Sequence, residues 1–159
     1  MHLFWNMQFL KEIWITLKNP NIDLNLRGIR GLTPIVFASA LLSNIKVIDL
    51  IINHPNCETD IDDLFSSCAI IGHFYEIKYL IDHYDSKIND ISRVLMLRTA
   101  SSNHFYSLKL ILDIFLKRNK EKSSQDIIND FKNISVDLDE YNEKTILKFS
   151  QIVYELKPK

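Results

Sequence analysis

The segment GHFYEIKYLID at residues 72–82 returns as NHFYSLKLILD at residues 103–113. Equivalent residues of the two copies, such as His73 and His104, lie 31 positions apart. The segment SNIKVIDLIIN at residues 43–53 fits the same template more loosely, 29 positions before the middle copy. Self-similarity with a period near 30 residues is typical of proteins built from stacked repeats, in which each unit buries its apolar face against its neighbours.

The composition is that of one globular domain with no extreme charge. The 159 residues are 47% hydrophobic and 25% charged, and the formal net charge is −1. A single continuous core is therefore expected, and a general affinity for nucleic acid is not. Cys57 and Cys68 are the only cysteines, too few for a disulfide framework and unlike a paired zinc motif, which favours a reducing intracellular compartment.

The amino-terminal residues are apolar, but Lys11 and Glu12 interrupt the run before it reaches the length of a membrane span. We therefore expect neither a signal peptide nor a transmembrane helix, and a cytoplasmic protein. The abundance of Ile, Asn and Lys is compatible with an A/T-rich genome. If the source is an intracellular microbe or a virus, the expected compartment is the host cytoplasm, where the protein would act as a host-directed effector.

Apolar residues recur at three- and four-residue spacing along much of the chain, which predicts helices. A first helix is expected from Phe4 to Lys18, and Pro20 ends it. Thr33-Pro34 predicts another helix start, because threonine caps free amides and proline at the first helical position gives up no needed donor. Further helices are expected over residues 34–42, 45–53 and 125–133, and a last one begins after a cap at Asp139 or Asn142. The apolar spacing of the last two helices predicts which of their residues are buried: Ile127, Ile128 and Phe131 in the first, and the stripe Ile146, Phe149, Val153 and Leu156 in the second.

Three segments resemble the finger, the helix start and the second helix of an ankyrin repeat: NIDLN (21–25), GLTPI (31–35) and VIDLI (47–51). The dipeptide Gly72-His73 is similarly typical of that family's turn between paired helices. The resemblance covers about residues 9–116. It implies an all-α, ankyrin-like helical repeat solenoid with short β-hairpin-like fingers and a divergent helical cap at the carboxyl end.

The resemblance also implies how the chain divides, as a single repeat domain. The expected parts are a capping half repeat with its finger (1–31), three repeats (32–62, 63–93 and 94–122) and a divergent cap (123–159). Terminal units of a repeat stack need a polar outer face. The charged residues of the last predicted helix suit that role: Glu143, Lys144, Lys148 and Glu155.

A few residues invite a catalytic or metal-binding interpretation, and for each we favour a structural one. His73 and His104 stand at the predicted turns, where histidine packs or caps, and two histidines without a third ligand make no metal site. Cys68, in register with Ser39 and Thr99, is expected to be a buried small hydrophobe. The sequence has no phosphate-binding loop and no nucleophile elbow. We therefore expect no enzyme activity, no metal and no cofactor.

The ends of the first helices of successive units are expected to face the concave surface with which ankyrin-like stacks bind partners. Four of these positions carry large aliphatic residues where polar ones are usual: Leu41, Leu42, Ile70 and Ile71. We expect this strip to be the dry centre of a partner-binding site, surrounded by charged finger residues: Arg27, Arg30, Asp60 and Asp62. The alternative is that an extra residue near Leu42 rotates one helix and buries the strip.

The sequence thus predicts a non-catalytic protein–protein interaction module, such as an adaptor, an inhibitor or a targeting protein. It would bind a partner protein, and neither nucleic acid nor membrane, as a monomer or a weak homo-oligomer. Two other classes stay open, because a fold does not determine a function. One is a homo-oligomeric structural module, and the other is an enzyme with an unfamiliar site near Cys68, His73 and His104.

Overall fold

The computed structural model describes residues 11–12, 15–16, 18–26, 33, 35–36, 39, 44–89, 91–137 and 142–157. Within these residues the regular structure is entirely helical, with no strand, so the predicted all-α class is confirmed. Seven helices have defined bounds there: α1 (Ile45–Ile52), α2 (Ile61–Ile71), α3 (Phe74–Tyr84), α4 (Arg93–Ser101), α5 (Phe105–Arg118), α6 (Ser124–Asp137) and α7 (Glu143–Leu156). A 3-10 turn, Asp85–Lys87, follows α3.

The seven helices pack in two rows. Helices α2, α4 and α6 contact one another in sequence and form the first row, and α1, α3, α5 and α7 form the second row in the same way. Helices that are consecutive in the chain also contact each other as the pairs α2–α3, α4–α5 and α6–α7. The six helices from α2 to α7 therefore each bury one side against the opposite row, and the core is a continuous seam between the rows.

The seam is filled with aliphatic and aromatic side chains from both rows. Phe131 of α6 lies flat on Phe149 of α7, with the ring centroids 3.7 Å apart. Burying each such side chain contributes about 1.5–3 kcal/mol. The burial predicted for the carboxyl-terminal helices is confirmed at six positions: Ile127, Ile128, Phe131, Ile146, Phe149 and Val153. Leu156, predicted in the same stripe, is half-buried.

Short polar side chains begin four of the helices by accepting hydrogen bonds from free main-chain amides: Asn44 before α1, Asp60 before α2, Ser92 before α4 and Asn142 before α7. Of the two candidate caps for the last helix, Asn142 is therefore the one that caps it. Because Asp60 caps α2, that helix begins two residues before the unit boundary expected at residue 63. The carboxyl-terminal helix expected to end at residue 133 continues to Asp137.

The two copied segments begin with the same turn. Gly72 has φ of +86° and Asn103 has φ of +62°, both in the left-handed region. The amide of His73 donates to the carbonyl of Cys68 at 2.9 Å, and the amide of His104 donates to that of Thr99 at 3.1 Å. Glycine and asparagine are the residues that adopt this conformation most readily. The sequence copies therefore fold as structural copies.

The expected hairpin-like fingers are not strands in the described loops, residues 21–26 and 53–60. Side-chain amides and carboxylates join neighbouring loops instead. Asn25 donates from Nδ2 to the Asn56 carbonyl at 2.8 Å, and its Oδ1 accepts from the Glu58 amide at 2.6 Å. These bonds satisfy main-chain groups that a strand ladder would otherwise pair. The predicted helices 4–18 and 34–42 lie largely outside the described residues.

Candidate functional site

The predicted aliphatic strip is only partly brought together in the described structure. Ile70 is half-buried and packs against the core. Ile71, the last residue of α2, keeps 38% of its surface exposed. Leu41 and Leu42 lie outside the described residues. The described part of the strip thus presents one exposed aliphatic side chain, Ile71, at the end of a first-row helix.

The two predicted acidic rim residues both have structural partners. Asp60 accepts hydrogen bonds from the amides of Asp62 and Asp63 as the cap of α2. The carboxylate of Asp62 accepts from Asn89, from its amide at 2.6 Å and from Nδ2 at 3.2 Å. Asp62 thus ties the start of α2 to the loop before α4. Arg27 and Arg30 lie outside the described residues.

The side of the first row that faces away from the second row is mostly polar. Ser67, Arg98 and Asn129 stand 31 residues apart in α2, α4 and α6, so they occupy the same register. Arg98 and Asn129 are exposed, and Ser67 is half-exposed. We call these three residues the first-row face. A serine, a guanidinium and an amide can exchange hydrogen bonds with a partner, and Ile71 adds an apolar contact at its edge.

Cys68 is buried, and its surroundings favour the protonated thiol. Its side chain is fully buried, as are those of Ser39 and Thr99 in the same register, which confirms the predicted burial. Burial raises the pKa of the Cys68 thiol to about 12, against a smaller opposing effect of a hydrogen bond with Ser39. The thiol is therefore protonated at neutral pH, and the thiolate is the form that attacks and ligates.

His73 and His104 stand at the amino-terminal caps of α3 and α5, and neither side chain caps its helix. His104 packs instead, because its imidazole lies where a Cβ on Gly72 would be. His104 thereby joins the α4–α5 pair to the turn of the pair before it. Among the described residues, no group of three or more His, Cys, Asp or Glu side chains is placed to hold a metal ion.

A row of exposed side chains that the sequence reasoning missed lies at the amino-terminal ends of the second-row helices. The second residues of these helices are Lys46 in α1, Tyr75 in α3, Tyr106 in α5 and Lys144 in α7, and all four are exposed. We call them the amino-terminal row. The signal was present in the repeated Phe-Tyr of the two copies, but only the helix bounds show that the tyrosine is the outward residue.

Two general comparisons complete the description of the chain. Of the helices described, none combines the length with the hydrophobicity needed to cross a bilayer. Comparison with known proteins gave no relationship on which to base a function: no family model, no curated protein and no solved structure matches this chain.

Proposed function

We propose that this chain is a non-catalytic protein-recognition module built as an ankyrin-like helical repeat solenoid. One observation carries the proposal: the turns at Gly72 and Asn103 share their left-handed backbone and their hydrogen bonds, 31 residues apart, within two rows of helices. A repeated turn that leads each first-row helix into its second-row partner is what a stack of equivalent units requires. The pairs α2–α3 and α4–α5 are two helix pairs joined by this turn, and in the proposal α6 and α7 form the third unit of the stack.

A binding role follows from the shape of such a stack. Among the described residues, each helix pair contacts its neighbouring pairs, and no further helix covers the outer side of the first row. Repeat proteins use such extended surfaces to bind partners. On the first-row face the candidate contacts are polar, with Arg98 at the centre and the exposed Ile71 beside it. Four predicted contacts remain predictions for the same face: Arg27, Arg30, Leu41 and Leu42.

The partner that suits this face is a protein, and the module would act as an adaptor, an inhibitor or a targeting protein in the cytoplasm. The described residues offer no observation in favour of an enzyme near Cys68, because that thiol is buried and protonated. A homo-oligomeric structural role is the alternative. Affinity capture separates it from partner binding, since self-association would appear as recovery of a second copy of the chain together with the captured one.

The proposal is tested by affinity capture from the native cell with matched charge-reversal variants. Arg98→Glu changes the first-row face, and Lys78→Glu makes the same change of charge on α3 in the second row. Within the described part of the chain Lys78 forms one ion pair, with the exposed Asp82, and the loss of such a surface pair has little effect on stability. A protein partner retained by the wild type and Lys78→Glu but lost from Arg98→Glu is the expected result. Equal recovery with both variants, or recovery of no protein, would contradict the proposal.

A further inference from the structure

We draw no further inference here: the strongest candidate, the surface patch of the exposed tyrosines Tyr75 and Tyr106 at the starts of α3 and α5, stands among charges of both signs, and nothing in the structure shows what covers it.

Discussion

The contact between Gly72 and His104 offers the sharpest test of how neighbouring units are joined. In Gly72→Ala the added Cβ would meet the imidazole of His104, at a residue whose φ is +86°. Two separate costs follow. An L residue in the left-handed region costs about 1–2 kcal/mol, and an overlap in a packed site costs about 1–3 kcal/mol more. The expected loss in the free energy of unfolding is therefore about 2–5 kcal/mol.

The two costs can be measured apart with a double-mutant cycle. His104→Ala removes the imidazole, so in that background Gly72→Ala should cost only the backbone part, about 1–2 kcal/mol. Asn103→Ala is the matched control, because Asn103 occupies the equivalent turn at φ +62° and already carries a Cβ. It should cost about 1 kcal/mol, since alanine tolerates this conformation less well than asparagine.

Urea unfolding followed by circular dichroism at 222 nm gives the four free energies of the cycle, and thermal unfolding gives an independent check. For a chain of this length about 1 kcal/mol corresponds to about 2–4 °C in Tm. The reasoning fails if Gly72→Ala costs less than about 1 kcal/mol. It also fails if the cost is the same with and without the imidazole, because the contact between units would then contribute nothing.

Three further predictions concern the seam, a loop and a thiol. Phe149→Ala removes a fully buried ring that stacks on Phe131. The free energy of unfolding in urea should therefore fall by about 3–5 kcal/mol. A fall of less than about 1 kcal/mol would mean that the two rings are not packed. Arg118 donates to the Ile88 carbonyl at 2.6 Å and to the carbonyl and the carboxylate of Asp85, both at 3.0 Å. Arg118→Lys should lower the free energy of unfolding by about 1–2 kcal/mol in the same assay, because lysine lacks the planar guanidinium that makes these bonds together. An unchanged urea midpoint would contradict the three bonds. Burial raises the pKa of the Cys68 thiol to about 12. At pH 8 a thiol reagent should therefore modify only the half-exposed Cys57 in the folded protein and both cysteines in urea. Rapid modification of Cys68 before unfolding would contradict its burial.

Several features of the fold could be predicted from local sequence because local chemistry controls them. The period of the copied segments predicted the pairing of helices, and the apolar spacing predicted which residues of the last two helices are buried. Asn142 could be named as one of two caps, since a short polar side chain before a periodic run is a local signal. The cap of α2 could not be read from the sequence, because Asp60 and Asp63 are both good cap residues and the sequence does not rank them.

The candidate site was less predictable because exposure depends on how helices are rotated against their neighbours. The rim role expected for Asp62 ignored Asn89, which lies 27 residues away in the sequence and hydrogen-bonds to it. Ile70 and Ile71 were treated alike, yet the packing half-buries the first and exposes the second. The exposed tyrosines were overlooked since an aromatic residue in an apolar run is more often a core residue.

By itself the sequence determined the helical class, the period and the left-handed turns, because hydrophobic spacing and the backbone preferences of glycine and asparagine act over a few residues. Only the tertiary structure decided which side chains reach solvent, that His104 packs against Gly72, and that two lysines and two tyrosines share an edge. These are relations between residues about 30 or more positions apart. They arise when the rows close and water is expelled from the seam, and no local pattern encodes the rotation at which each helix comes to rest.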